Sequence, residues 1–230
     1  MKKVMKVIAA GIVCTCIFCF GKAIRDKTAK VYQQFCEETE PEEWIDFNYW
    51  QNRNADVYAW IRIPGTKIDY PVVQGDEDGY YLSHDIDKES NIYGAIYTET
   101  ANDIDFSDGN TVIYGHNTLD RFEKLHEYQD RTFFDENREV RIYLPEKMLV
   151  YRIFAAYPYD DRHLIAAYDF SDPIIFRNYL EEVFSIRQID AFIDDTMDVT
   201  EDDKLITLET GVSGEPDQRY LVQAVLVEGQ

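Results

Sequence analysis

From Val57 onward the chain runs in short apolar stretches, often alternating with polar positions and separated by turn residues. Period-two alternation marks a strand with one buried face. Val57–Ile63 is the first such run and stops at Pro64-Gly65, a turn dipeptide. Lys67–Gln74, Tyr93–Thr98 and Thr111–Tyr114 follow, rich in β-branched and aromatic residues. Val140, Ile142 and Leu144 alternate with polar or aromatic neighbours, and Leu149–Tyr157, Lys204–Thr210 and Arg219–Glu228 complete about eight strands. Helical spacing interrupts them. A short helix is expected around Trp44–Arg53, a second over Thr118–Tyr128 with Leu119, Phe122 and Leu125 on one face, and a longer one over Pro173–Ile186. So many short strands with turn signals predict a mainly β fold, a closed or partly closed barrel.

The first residues follow another pattern. "MKKVMKVIAAGIVCTCIFCFGKAIRDK" has a basic head and then an uncharged run, Val7–Gly21. A span needs about 20 apolar residues, which snorkelling by Lys6 and Lys22 extends this run towards. Residues 1–24 are therefore read as an uncleaved single-pass anchor, with a signal peptide as the alternative. The anchor implies a place at the cell membrane with the following domain outside. Residues 25–43, ending in the acidic "CEETEPEE", read as a polar stalk, and 44–230 as the folded domain.

Composition narrows the function. The chain is 45% hydrophobic, so 230 residues can bury a core, and its net charge is -21. Seven of its 23 basic residues fall in the first 30 positions, which leaves the domain more acidic still. Such a surface repels nucleic acid, and no nucleic-acid partner is expected. All four cysteines (Cys14, Cys16, Cys19, Cys36) precede the domain, which therefore has no disulfide, no thiolate metal site and no cysteine nucleophile.

Candidate chemistry is sparse. His84, His126 and His163 are placed by the pattern in polar loops or on an exposed helix face, where a surface role is the default. His116, in "NTVIYGHNT", sits where a strand ends at a glycine, at the rim of a sheet. A turn histidine bonded to local backbone is the competing reading. No pair of histidines has ligand spacing, so no metal site and no cofactor is expected.

"NADVYAWIRIPGTKIDYPVVQGDEDGYYLSHDI", then "YGAIYTE", "NTVIYGHN" and "FEKLHEY", resembles the class B sortases in content and in order, from about Asn52 to Leu226. The resemblance implies a closed barrel of about eight strands, with N-terminal helices and a helix before the penultimate strand. It also implies a cysteine transpeptidase, which cleaves a Thr–Xaa bond in a sorting motif of a surface protein or pilin. The acyl group then passes to an amine of a cell-wall precursor or pilin. The family's closing element is T-L-x-T-C, a short loop and an arginine; here it reads Thr207, Leu208, Glu209, Thr210, Gly211 and then Arg219. By that carry-over His116 is the acid/base, Arg219 the oxyanion or substrate donor, and Thr210 and Asn117 lie beside the substrate. Gly211 occupies the place of the nucleophile. Loss of a covalent nucleophile leaves only residual catalysis. The expected activity is thus impaired, or replaced by peptide binding without cleavage. Because Glu209 also departs from the family's usual small polar residue, the change reads as natural loss.

Overall fold

The computed structural model describes residues 44–119 and 121–229. The described residues from 45 onward belong to one compact unit. Helix α1 (Phe47–Arg53) opens it, capped by the Asp46 side chain, which accepts from the Tyr49 N–H at 3.0 Å. Strands β1 (Val57–Arg62), β2 (Asp69–Val73), β3 (Ile96–Tyr97) and β4 (Asn110–Tyr114) follow. Helix α2 (Arg131–Glu136) leads to β5 (Glu139–Tyr143) and the long β6 (Met148–Asp160). Two helices, α3 (Leu164–Ala167) and α4 (Pro173–Ser185), precede β7 (Phe192–Ile193), β8 (Leu205–Val212) and β9 (Glu215–Gly229).

The strand order is β5-β1-β2-β3-β4-β8-β9-β6, and β5 pairs back onto β6, closing an eight-strand barrel with β7 as an added edge. The sheet is mostly antiparallel; β2–β3 and β4–β8 are parallel. Alternation along the strands sorts the apolar residues into two layers. Ile61, Ile113, Ile142, Ile153, Leu208 and Val222 pack in one cluster drawn from six barrel strands, the barrel interior. Val112, Tyr114, Tyr157 and Leu221 turn the other way and pack with Phe176, Tyr179, Leu180 and Val183 of α4. The start of α4 is fixed locally: Asp172 accepts from Ile174 and Ile175 N–H groups, and Pro173 takes the first turn.

Two expectations need correction. The segment expected as a helix over Thr118–Tyr128 is instead a 3-10 helix over Glu123–Gln129. Its hydrogen bonds step by three, as in Leu125 N–H to Phe122 O and Asp130 N–H to Glu127 O. Phe122, Leu125 and Tyr128, spaced by three, are all fully buried, whereas Leu119 is exposed. A strict three-residue period is the eclipsed face of a 3-10 helix, not of an α-helix. Finally, the membrane anchor, and the membrane localisation drawn from it, find no support. Among the described residues no helix is long and apolar enough to cross a membrane. The anchor and stalk, residues 1–43, lie outside the described residues.

Candidate active site

A cavity of about 430 Å³ opens at one end of the barrel and brings together His116, Thr210, Gly211 and Arg219. Sheet register explains most of this convergence. β4 and β8 run side by side in parallel, Tyr114 aligned with Glu209. The next residues along, Gly115 and His116, therefore leave the sheet beside Thr210 and Gly211. The Gly115 N–H donates to the Glu209 carbonyl at 3.1 Å, extending the ladder by one bond. Gly115 is required there. A Cβ on it would stand 2.5 Å from Ile96 Cδ1 and 2.7 Å from the Phe122 ring, so only glycine lets the chain pass and deliver His116. His116 Nε2 donates to the Leu82 carbonyl at 2.9 Å, and its own carbonyl accepts from Thr118 and Phe122 N–H groups. The imidazole is thus held in one tautomer at the rim.

Position 211 is open. A Cβ built on Gly211 meets no atom within 4 Å, and the backbone there is not left-handed. Gly211 faces Arg219 across the β8–β9 ladder. Its carbonyl accepts from His126 Nε2 at 3.0 Å. His126 is half-buried and lies 5.2 Å from Tyr220, ring to ring, so it is not the solvent-facing residue its spacing implied. The Arg219 guanidinium donates through Nη1 to the Pro216 and Gln218 carbonyls, at 2.8 and 2.9 Å. Its Nε stands 3.6 Å from Glu209 Oε1. Thr210 is buried, and its Oγ1 has no hydrogen-bond partner. Asn117 is not among the residues lining the cavity; its Nδ2 donates to Ser213 Oγ at 3.1 Å.

Sequence reasoning singled out Glu209 beside position 211 but missed the rest of the acidic side of the cavity. Glu209 and Gly211 are two apart on β8 and share a face. The Glu209 side chain is only 11% exposed, and Oε2 has no partner. Burial pushes this carboxyl up to about 7, opposed by Arg219 and His163 and reinforced by Glu99. Glu99 also lines the cavity, its pKa likewise raised by burial, and its Oε2 pairs with His163 Nε2 at 2.7 Å. Tyr97 and Tyr114 stack at 5.3 Å and supply the aromatic wall, while Tyr114 OH lies 3.4 Å from His163 Nε2. His163 is therefore a cavity residue, not a lone surface histidine. No local pattern foretells this, because its partner Glu99 lies far away in sequence. Among the described residues, no cluster of histidine and acidic groups has the arrangement to hold a metal ion.

A barrel of this topology with this rim is that of a sortase domain. The sortase-domain family model matches residues 61–227. The chain belongs to the sortase family, and its relatives are of class B. It is 31% identical over 162 residues to sortase B of Listeria monocytogenes, spanning 70% of this chain and 64% of that one. The solved sortase B of Clostridium perfringens matches with a TM-score of 0.72 at 30% identity, over 80% of this chain and 100% of that chain. A Staphylococcus aureus sortase B–substrate complex shares the fold, with a TM-score of 0.70 at 24% identity, over 88% of this chain and 94% of that chain.

Proposed function

We propose that this protein is a class B sortase homologue that keeps the peptide groove and lacks the thiol step. In the family reaction, a cysteine thiolate attacks the carbonyl of a Thr–Xaa bond and the amine leaves with a proton. A second amine then displaces the sulfur. In this reading His116 would exchange the proton and Arg219 would stabilise the oxyanion, with no atom to form the acyl bond. The observation that carries this reading is position 211: a strand glycine lining the same cavity as His116 and Arg219, with free space where a side chain would stand.

The other hydroxyl near the slot does not replace the sulfur. Ser213 is exposed, does not line the cavity, and its Oγ accepts from Asn117, with no base in contact. This favours a protein that holds a sorting-type peptide without cleaving it over one that cleaves by another nucleophile. The test is a panel of fluorescent sorting-type peptides, read for both binding and cleavage. Saturable binding without turnover is expected. Turnover by the unmodified chain that a thiol-blocking reagent leaves untouched would overturn the reading.

A further inference from the structure

Arg219 is already engaged within the hairpin that carries it. Positions 209 and 211 of β8 share one face of the ladder with 219 and 221 of β9. The Arg219 side chain therefore starts opposite Gly211 and reaches back towards Glu209. Nη1 donates to the Pro216 and Gln218 carbonyls, and Nε stands 3.6 Å from Glu209 Oε1.

The carboxylate does not release that cation easily. Its side chain is only 11% exposed. Tyr97, Tyr114 and Glu209 stand in one cross-strand row, so two aromatic rings flank it on the β3 and β4 side. The other groups that face it are Glu99 after β3, Tyr159 at the end of β6, His163 in the loop beyond, and Arg219 from β9. His163 is paired with Glu99 at 2.7 Å, which leaves Arg219 as the permanent cation of the set. A buried carboxylate stripped of its cation is strongly disfavoured unless it takes up a proton. Burial already pushes the Glu209 carboxyl up to about 7, with Arg219 opposing that shift, so a proton is available to it near neutral pH. The guanidinium and the proton are alternative ways to neutralise the same group.

We propose that Glu209 is a positioning residue that holds the Arg219 guanidinium away from a peptide carbonyl at Gly211, and that a bound peptide draws the guanidinium onto that carbonyl while Glu209 takes up a proton from solvent. The inference rests on the reading of the cavity as a peptide groove and says what holds the groove's arginine before a peptide arrives. The Arg219 backbone stays in the ladder; only the tip of the side chain turns.

The experiment titrates labelled pentapeptides carrying one Thr–Xaa bond against the full chain, Glu209→Gln, Arg219→Gln and the double variant at pH 8. Glu209→Gln, which keeps the shape and removes the charge, should bind about tenfold tighter than the unmodified chain, the scale of one charge-assisted hydrogen bond. With Arg219→Gln in place, the same change should alter affinity by less than about twofold, because the effect runs through the guanidinium. A role confined to folding or to bulk charge would not show this dependence. Calorimetry in two buffers of different ionisation heat gives a second readout. Peptide binding should take up protons on the unmodified chain, and that uptake should be lost in Glu209→Gln. Should Glu209→Gln fail to fold, Glu209→Ser replaces it. Where the Arg219→Gln proteins bind too weakly to compare, the proton count decides. No gain in affinity on removing the Glu209 charge, or a gain that survives the loss of Arg219, overturns the clamp and leaves the groove standing. If no peptide binds any of the four proteins, the groove reading fails. Inorganic phosphate, an oxyanion that arginine binds well, then decides the clamp alone, followed by the Arg219 Nε–H signal in NMR spectra. Tighter phosphate binding to Glu209→Gln than to the unmodified chain keeps the clamp, and equal binding ends it.

Discussion

Gly211 and Arg219 are direct partners across the β8–β9 ladder. The guanidinium reaches the vacant position through sheet register and not through a mobile loop. Any side chain placed at 211 therefore arrives beside a fixed cation, in a strand whose backbone suits an ordinary L-residue.

Gly211→Cys follows directly. The new Cβ meets nothing, and replacing a strand glycine at a compatible backbone position stabilises by about 0.4–1 kcal/mol through the unfolded chain. The melting temperature should hold or rise by a few degrees. Thiol-dependent cleavage of sorting-type peptides should appear and vanish with a thiol-blocking reagent. Glu209, on the same face, opposes thiolate formation when charged. Gly211→Cys with Glu209→Ser should therefore outperform the single change. A folded, thiol-accessible Gly211→Cys protein with no cleavage across the panel would show that His116 and Arg219 are not placed for the reaction.

Ser213→Ala tests the alternative nucleophile. Its hydroxyl accepts one hydrogen bond from Asn117 at the exposed end of the hairpin. Its removal should leave peptide affinity within about twofold and stability within about 0.5 kcal/mol, as for other surface changes. A large loss of any background cleavage, measured by mass spectrometry of the products, would reassign the nucleophile.

These expectations also separate what sequence could carry from what it could not. Val57–Ile63 as a strand was legible because six of its residues are buried on a sheet with turn chemistry at its end; the strand found is Val57–Arg62. α4 was legible from Pro173 and its apolar spacing, and ends at Ser185. The two-residue β7 is too short to leave a periodic trace. α-Helical rotation puts His126 on the exposed face, whereas the 3-10 segment leaves it half-buried against Tyr220. The three-residue period of Phe122, Leu125 and Tyr128 was the available signal for a 3-10 helix. Gly211 and Glu209 stood out only against the family motif. The pairing of His163 with Glu99, and the row Tyr97–Tyr114–Glu209, depend on strand order, which no local pattern encodes.

The seam between α4 and the barrel is held by a buried polar chain. Gln223 Nε2 donates to Tyr179 OH at 2.5 Å and to Thr207 Oγ1 at 2.8 Å, and its Oε1 accepts from Tyr157 OH at 3.1 Å. Thr207 passes the chain to Asn110 Oδ1 at 2.9 Å. All but Tyr179 and Tyr157, which are 2% exposed, belong to the buried polar residues of the core. Gln223→Ala would remove three buried hydrogen bonds at roughly 1 kcal/mol each and leave a cavity, while Tyr157 OH and Tyr179 OH keep each other at 3.1 Å and Thr207 keeps Asn110. A loss of about 2–4 kcal/mol in urea unfolding is expected, with an unchanged denaturant slope. A loss under 0.5 kcal/mol would show that the chain is not coupled to stability.

Glu209 should leave a mark on the pH dependence of folding. Its folded value, about 7, lies above its ordinary value of 4.5 because of burial. Below 4.5 it is protonated in both states and contributes nothing to the slope. Between 4.5 and 7 the unfolded chain releases the proton first, so the folded state binds more protons and stability falls as pH rises. Above 7 the group is charged in both states and the penalty is complete, on the order of 3 kcal/mol at most. Glu209→Gln removes that slope. It should raise stability by about 1–3 kcal/mol at pH 8, with the lost attraction to Arg219 as a partial offset, and by close to nothing at pH 4.5. The measurement is chemical unfolding of both proteins at half-unit steps from pH 4.5 to 8. If the difference between them does not grow with pH, Glu209 is not a buried, frustrated acid.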